Sequence, residues 1–530
     1  MKKKALSLLF VLSLVTLLTS CTQTSTSNVS FVPQGELLER IKQNLNRLES
    51  KKYQPENVFL TEEQSKGWPG DTEGRTILGL VCDSKAGNIH TDNLAKIVNL
   101  IPEHLNEKGY MGIDYGEIID EQQISGNGWM LRGLCAYYDY TGDKAALDMI
   151  RSISYNLFVK HAGKYKNYPI SESERSGDGG AAGRIANQVR EWRLSSDIGC
   201  LFVGLDGLID AWRIIGGDEM RKVIDEMIAR FLEVDCVNIK SQVHSTLTGC
   251  RALVRFAELT DEKHYISEVE KRWDLYKRYG MTENYANYNW FRRYNTWTEP
   301  CAIVDSYLLA LKLWEHTGQV KYLEDAHLIW YNAICHAQRA NGGFGCDACP
   351  GEASGPDLRV KIDEADYCCT MRGAEGLATA VNSLAYNRDG CIYLTGFHEG
   401  ILHINETQLK ISSDYPFAGK FELEVLQGQI KAEQMKIFIP YWMKTDIQIQ
   451  LEDGFMVLKE TLRKGDKLVV SYSFEPREEP CLNIENTSEN VIRKFSGPLI
   501  LDEFDKPIYH IMSTEVNKAS GYHRRILHQK

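Results

Sequence analysis

After its first twenty residues the chain lacks any long apolar run, and it lacks a basic patch throughout. No later stretch reaches about 18 consecutive apolar residues, so no membrane span is expected there. The formal charge of the 530 residues is −11, and the scattered Lys and Arg residues exclude the positive surface that nucleic-acid binding requires. A chain of this length exceeds one ordinary domain, and we expect two.

The N-terminus has the pattern of an export signal. Three lysines precede an apolar run that ends at Leu18, too short for a stable membrane span. Cys21 follows Leu-Thr-Ser, which resembles the bacterial lipobox, where the Cys is acylated. We predict a lipoprotein signal peptide over 1–20, lipidation and membrane anchoring at Cys21, and a Ser/Thr-rich tether over 21–32. Thr22 favours the outer membrane, so a periplasmic or cell-surface location is expected. The alternative is an ordinary cleaved signal.

Residues 33–390 carry apolar side chains at helical spacing, in segments separated by Gly-containing turns. Antiparallel helical hairpins that close on themselves make an (α/α)6 toroid, so we predict a mainly α catalytic domain with its ligand in the mouth formed by the loops. After residue 390 the apolar period changes to two, which predicts a C-terminal β-sandwich over 391–515. A basic tail over 516–530 completes the chain.

Two short segments could carry chemistry. Glu299 and Cys301 open a predicted helix with Thr298 as its expected N-cap, and a helix N-terminus favours anions, including a thiolate. Cys368 and Cys369 are adjacent, and neighbouring Cα atoms, about 3.8 Å apart, lie too close for an ordinary disulfide. One Glu oxygen and three Cys sulfurs would make a tetrahedral zinc site. Buried or separately paired cysteines explain the same pattern equally well.

These residues resemble a known family. Glu299-Pro300-Cys301 and Cys368-Cys369, in a helical toroid followed by a β-sandwich, are similar to the motifs of the β-L-arabinofuranosidases of glycoside hydrolase family 127 and its relatives. The resemblance implies that Glu299, Cys301, Cys368 and Cys369 bind Zn²⁺ and that Cys368 attacks the anomeric carbon. The acid/base of the family is a Glu sixteen positions before the zinc Glu, which is Glu283 here. Shorter C-terminal stretches agree in order with the family pattern: Tyr415-Pro416, Ile439-Pro440-Tyr441-Trp442, Lys464-Gly465-Asp466 and Gly497-Pro498-Leu499.

The implied reaction is the retaining, exo-acting hydrolysis of a β-L-arabinofuranoside or a related plant-glycan sugar. Zinc would hold Cys368 as a thiolate. The thiolate would displace the aglycone, while Glu283 protonates the leaving oxygen and later activates water. An oligosaccharide or simple glycoside is therefore the expected substrate.

Four further residues are candidate substrate contacts. His244 resembles a family position that contacts sugar, although a His at a helix start is more often a structural hydrogen-bonder. Tyr288 and Trp290 belong to a polar-aromatic run after Glu283 that suits a sugar subsite. Arg372 stands where the family commonly has a different turn. It could pair with an acidic sugar, although an Arg at such a position is more often an ordinary surface or core-facing residue.

The Cys346-Asp347-Ala348-Cys349 loop is unlike the family pattern. A disulfide between its two cysteines is the default expectation, with a redox pair or a second metal half-site as alternatives.

Two competing functions remain open from the sequence. One is another toroid enzyme, of the unsaturated glucuronyl hydrolase or polysaccharide lyase type, in which Asp, His or Tyr would act and Cys368 would be dispensable. The other is a non-catalytic glycan-binding lipoprotein.

Overall fold

The computed structural model describes residues 28–59, 67–175, 182–351, 355–447, 451–483, 485–512 and 523–529. The predicted signal peptide and Cys21 lie outside these residues. Within them, no helix is both long enough and apolar enough to cross a membrane.

Six inner helices form a closed ring, because each packs against the next and the last packs against the first. They are Asp71–Gly87, Glu121–Thr141, Leu201–Ile215, Val243–Thr260, Pro300–Thr317 and Cys369–Asn382. Close approach is possible because glycines face neighbouring backbones: a Cβ on Gly74 would lie 2.3 Å from the carbonyl of Trp129, and one on Gly207 would lie 2.2 Å from the Gly128 oxygen.

Six outer helices surround this ring. They are Gly35–Leu48, Asn93–His104, Lys144–Ile153, Asp218–Leu232, His264–Tyr279 and Lys321–Ile329. Each contacts a helix of the inner ring, and Gly35–Leu48 closes the circle by packing on both Asp71–Gly87 and Cys369–Asn382. Short helical segments complete this region: Lys51–Tyr53, Pro55–Val58, Ser154–Phe158, Val159–His161, Tyr165–Asn167, Trp330–Ile334 and Cys335–Ala337.

The C-terminal region is rich in strands. A six-stranded sheet has the order Val29–Pro33, Gly400–Ile404, Thr407–Ser413, Gly419–Gln427, Lys467–Ser473 and Lys444–Thr445. A five-stranded sheet has the order Leu451–Glu452, Phe455–Val457, Met435–Phe438, Cys391–Leu394 and Ala385–Arg388. Alternate residues of Thr407–Ser413 and Gly419–Gln427 are buried, as the period of two predicts. The predicted fold class, a mainly helical toroid followed by a β-rich region, is confirmed.

Shorter strands outside the two larger sheets form additional small sheets. Gln429–Ile430 pairs with Leu462–Arg463, and Val491–Ser496 pairs with Arg477–Pro480, Leu499–Leu501 and His528–Gln529. In the toroid, Trp192–Ser195 pairs with Ile119–Asp120 and Ile185–Val189, while Asp357–Ile362 pairs with Cys346–Ala348 and His523–Arg525.

Both ends of the described chain are more ordered than the sequence suggests. Residues 29–32, assigned to the tether, are part of the strand Val29–Pro33, which pairs antiparallel with Gly400–Ile404. Strands His523–Arg525 and His528–Gln529 tie the predicted basic tail to two different sheets. Long-range pairing of this kind leaves no local composition signal, which is why sequence reasoning missed it.

Candidate active site

The N-terminal ends of all six inner helices meet at one mouth of the toroid, around a pocket of about 290 Å³. Its lining includes Asp71, Ser125, Val203, His244 and Cys369, which come from five of these helices, and Glu299, which precedes the sixth. Backbone N–H groups and helix dipoles at these ends favour negative charge. The mouth therefore suits anionic ligands of a cation.

Three predicted metal ligands converge here. The sulfurs of Cys301, Cys368 and Cys369 lie within 4.8 Å of one another, with the Cys369 Sγ 3.6 Å from that of Cys301 and 3.2 Å from that of Cys368. Cys301 and Cys369 are buried, whereas Cys368 is half-buried and lines the pocket. The adjacent cysteines are thus brought to the third one by tertiary packing, as the metal-site interpretation requires.

Glu299 adjoins the cluster through Cys301. One carboxylate oxygen of Glu299, a ring nitrogen of His244 and the Cys301 sulfur also lie within 4.8 Å of one another. Glu299 occupies the N-cap position of Pro300–Thr317 without capping the helix through its side chain. Its backbone N–H donates to the Asn287 Oδ1 at 2.9 Å, and the Gln242 amide donates to its Oε2 at 3.4 Å. The carboxylate is therefore positioned by neighbours and remains directed at the pocket.

Thr298 does not act as the N-cap. Its hydroxyl accepts the Asp347 N–H at 2.9 Å, and its own N–H donates to the Asp347 carbonyl at 2.8 Å. The predicted cap is wrong because this loop pairs with the strand Cys346–Ala348, and that pairing occupies the hydroxyl.

His244 lies at the start of an inner helix and lines the pocket. Its Nδ1 is 2.7 Å from the Asp305 Oδ2, and the buried Nε2 has no hydrogen-bond partner in the described part of the chain. Burial alone would raise the pKa of Asp305, but Arg372, Arg251 and His244 lower it well below the usual range. A carboxylate therefore accepts the Nδ1 hydrogen, which leaves the Nε2 lone pair for a ligand.

Arg75 supplies a positive charge beside the sulfurs. Its Nη1 donates to the Cys301 Sγ at 3.2 Å, while Nε and Nη2 hold both oxygens of Asp71 at 2.6 and 3.1 Å. Burial would raise the pKa of the Cys301 thiol, but its hydrogen bonds with Cys368 and Cys369, together with Arg75, bring it well below its usual value. The pKa of Cys368 is raised, mainly because its thiol donates to Cys301.

The donor set fits the zinc ion that the resemblance implies. Thiolate, carboxylate and imidazole are the ligand types of zinc sites, and three sulfurs already lie at mutual distances that a single ion can span. A ring nitrogen of His244 lies within 4.8 Å of the Cys301 sulfur and of a Glu299 oxygen and could add to this set.

The predicted acid/base, Glu283, lies elsewhere. Its two oxygens accept the backbone N–H groups of Leu482 and Asn483 at 2.7 and 2.9 Å, and the Arg493 Nε is 3.6 Å away. Glu283 is fully buried, and it is not among the residues that line the pocket. This carboxylate joins the toroid to the C-terminal region, an arrangement that sequence spacing could not reveal.

Three predicted substrate contacts are also placed away from the pocket lining. Arg372 is fully buried and donates to the Asp305 Oδ1 at 2.6 Å. The hydroxyl of Tyr288 accepts a hydrogen bond from the Asn486 amide at 2.8 Å. Trp290 packs edge-on against Trp297, with ring centroids 5.6 Å apart, and thereby supports an aromatic residue that does line the pocket. The structure therefore does not bring these three side chains to the lining, and their contact with a substrate stays a prediction.

The Cys346–Cys349 disulfide prediction is wrong, because Cys346 is a free thiol. Cys346 lines the pocket, and the Cys349 thiol donates to the Asn287 carbonyl at 3.6 Å. The strand Cys346–Ala348 sends alternate side chains to different surroundings, so the two sulfurs do not meet.

Several pocket residues escaped the sequence analysis. They are Trp68, Asp71, Arg75, Asp197, Gln242, Trp297 and Tyr367. Tyr367, which is 52% exposed, directly precedes the cysteine pair, while Trp297 and Gln242 lie two residues before Glu299 and His244. The remaining four residues belong to no motif that the sequence shows.

No protein-family profile and no curated protein sequence match this chain. Solved structures do. A GH127 β-arabinofuranosidase has a TM-score of 0.67 at 12% identity, with 94% of each chain covered. A GH127 β-L-arabinofuranosidase from Geobacillus stearothermophilus T6 has a TM-score of 0.63 at 11% identity, covering 90% of this chain and 87% of that one. A glycoside hydrolase has a TM-score of 0.61 at 14% identity, covering 91% and 85%. The predicted resemblance is confirmed at the level of the fold.

Proposed function

We propose that this protein is a glycoside hydrolase in which Cys368 is the nucleophile of a retaining mechanism. The observation that carries the proposal is the convergence of Cys301, Cys368 and Cys369 at a pocket in the mouth of the toroid, with Cys368 the most accessible of the three. The solved structures with this fold along their whole length include two β-arabinofuranosidases. A β-L-arabinofuranoside or a related sugar is therefore the proposed substrate.

Glu299, Cys301, Cys368 and Cys369 would hold the metal, with His244 directed at it. A bound zinc ion lowers the pKa of a coordinated thiol and so keeps it as a thiolate. Cys368 attacks the anomeric carbon, the bond to the aglycone oxygen breaks, and a thioglycosyl link to Cys368 forms. Water then attacks the same carbon and releases Cys368, so that the configuration is retained after two inversions.

Aromatic side chains support the sugar assignment. Trp68, Trp297 and Tyr367 line the pocket, and their faces can pack against the apolar face of a sugar ring. A pocket of about 290 Å³ at the ends of the inner helices suits the terminal sugar of a chain, which supports exo action. Export and lipid attachment at Cys21, with a periplasmic or cell-surface location, complete the proposal on the strength of the N-terminal sequence alone.

The test is Cys368→Ser measured on 4-nitrophenyl glycosides of arabinose and of acidic sugars. We expect wild-type turnover of a β-L-arabinofuranoside with retained configuration by NMR, and a loss of kcat/KM of about 10³-fold or more in the variant. Cys391→Ser is the matched control, because Cys391 is also a half-buried free thiol but lies in the C-terminal region. Full activity of Cys368→Ser would favour a toroid enzyme that uses other groups. Glycan binding without turnover across the panel would favour a binding protein.

A further inference from the structure

Displacing an aglycone needs a proton donor, and three carboxylates line the pocket among the described residues: Asp71, Asp197 and Glu299. Asp71 is held by two hydrogen bonds from Arg75. Glu299 adjoins Cys301 and belongs to the proposed metal ligands. Among these three carboxylates, Asp197 is the one that neither is hydrogen-bonded to an arginine nor belongs to the proposed metal ligands.

The two carboxyl oxygens of Asp197 differ in their hydrogen bonding. Its Oδ2 accepts the Gly183 N–H at 3.0 Å, whereas Oδ1 is buried and has no hydrogen-bond partner among the described residues. The residue is 5% exposed. A buried polar atom without a partner is costly in a folded protein, and one that lines a cavity is explained by a ligand group that it meets there.

The backbone fixes this side chain at the mouth. Asp197 lies between the strand Trp192–Ser195 and the inner helix Leu201–Ile215. Its N–H donates to the Ser195 hydroxyl at 3.1 Å, and its carbonyl accepts the Cys200 N–H at 3.1 Å. The carboxyl group is thus presented by a short connection at the N-terminus of an inner helix.

The surroundings of Asp197 also favour a proton on it. Burial is the main cause that raises the pKa of this carboxyl to about 7, helped by Glu121 and opposed by the Gly183 N–H, Arg293 and Arg175. Glu299 and the Cys200 thiol also interact electrostatically with Asp197. An acid that donates and then recovers a proton works best with a pKa near the working pH.

We propose that Asp197, rather than Glu283, is the general acid and base of this pocket; the inference rests on the proposed function. In the first step the Cys368 thiolate forms a bond to the anomeric carbon, the bond to the aglycone oxygen breaks, and the Asp197 proton moves to that oxygen. In the second step water bonds to the anomeric carbon, its proton moves to Asp197, and the carbon–sulfur bond breaks with its electron pair returning to sulfur. Asp197 ends protonated, as it began.

The experiment compares Asp197→Asn with Glu283→Gln on two β-L-arabinofuranosides, the 2,4-dinitrophenyl and the methyl glycoside. The dinitrophenolate leaving group needs no proton, whereas methanol does. For Asp197→Asn we expect a loss of at least about 10²-fold on the methyl glycoside, within the range of general acid–base catalysis, and a much smaller loss in the glycosylation burst of the dinitrophenyl glycoside. The glycosyl group should accumulate on the Cys368 peptide by mass spectrometry. Added azide, which needs no deprotonation, should release it as the glycosyl azide of retained configuration.

Glu283→Gln should show neither accumulation nor azide rescue, since the amide change disturbs the contacts to the Leu482 and Asn483 N–H groups without touching the reaction. Accumulation and azide rescue in Glu283→Gln, with none in Asp197→Asn, would overturn the inference and leave the proposed function intact. Equal losses on both glycosides in Asp197→Asn, without rescue, would also overturn it. A wild-type protein that turns over neither glycoside would overturn the proposed function, and the inference with it.

Discussion

The two mouths of the toroid carry different chemistry. At the N-terminal ends lie sulfurs, a carboxylate and an imidazole around a pocket of about 290 Å³. At the other ends lies a larger cavity, about 600 Å³, whose lining includes Arg132, Arg213 and Arg255. The larger cavity is also lined by Asp139, Asp210 and Glu375, so its arginines face carboxylates. The smaller pocket instead places its sulfurs at helix N-termini, where helix dipoles favour anions.

The mouths also differ in how their polar groups are partnered. In the larger cavity Asp210 pairs with Arg132 at 2.6 Å and with Arg213 at 2.9 Å, and Arg132 also pairs with Glu375 at 2.8 Å. In the smaller pocket Asp197 Oδ1 and His244 Nε2 are buried, and neither has a hydrogen-bond partner within the residues that the structure describes. Size alone would favour the larger cavity, but the cluster of cysteine sulfurs lies at the smaller pocket and marks it as the reactive one.

The strongest test of the difference between the two mouths is to remove a proposed zinc ligand that is not the nucleophile. Cys301→Ser should abolish tight zinc binding and lower kcat/KM by about 10³-fold or more, because the metal would no longer hold the attacking thiolate. Zinc content after dialysis and kcat/KM are the measurements, with Cys391→Ser as the control. A variant that keeps stoichiometric zinc and full activity would contradict the assignment.

At the opposite mouth the largest effect should be on stability. Asp210→Asn leaves Arg132 and Arg213 without their shared buried carboxylate, and breaking such a pair costs about 3 kcal/mol or more. The free energy of unfolding should fall by this amount while kcat/KM stays within a factor of about two, apart from any effect of partial unfolding. Denaturant titration alongside kinetics below the transition would test it. A large loss of activity in the folded variant would link the two mouths.

A smaller effect is expected at the rim of the pocket. Tyr367→Ala removes an exposed aromatic face beside Cys368, and KM should rise about tenfold, equivalent to about 1.4 kcal/mol, with kcat less affected. Tyr441→Ala is the matched control, since Tyr441 is 58% exposed in the C-terminal region. Equal KM values for the two variants would show that Tyr367 does not contact the sugar.

The smallest expected effect is a difference in pH dependence between two aspartates. The pKa of Asp197 is raised to about 7, chiefly by burial, so its contribution to stability is fully present below about pH 4 and is lost as the pH rises to about 7. The pKa of Asp210 is lowered: burial opposes this, but Arg255, Arg132 and Arg213 outweigh it, so its contribution is present above about pH 4 and is lost on acidification.

Melting temperatures from pH 4 to 8 would sharpen the contrast between these aspartates. Asp197→Asn should gain a few degrees relative to the wild type at pH 8, whereas Asp210→Asn should lose most at neutral pH and less in acid. Parallel curves for the two variants would show that the environments of the carboxylates are not opposite.

Several features of this protein follow from local sequence patterns. The period of 3.6 along residues such as those of Val243–Thr260, with Gly-containing turns between segments, predicted the toroid, and the change to a period of two predicted the strands. Cys301, Cys368, Cys369, Glu299 and His244 were predicted as site residues and do lie together. Adjacent cysteines and a Glu-x-Cys helix start are local patterns, so the chain itself carries the signal.

The remaining parts were decided by packing. The roles of Glu283, Arg372 and Asp197 depend on which neighbour each carboxylate or guanidinium meets: Glu283 meets the Leu482 and Asn483 amides, Arg372 meets Asp305, and Asp197 meets a cavity. Leu482, Asn483 and Asp305 are distant in sequence from the residues they contact, and a cavity leaves no pattern in the sequence. Sequence by itself determined the periodicity, the helix ends and the kinds of atoms available for chemistry, because these follow from local geometry. Only the tertiary structure decided which carboxyl group has an oxygen available for a ligand, because the fold determines which groups come within hydrogen-bonding distance.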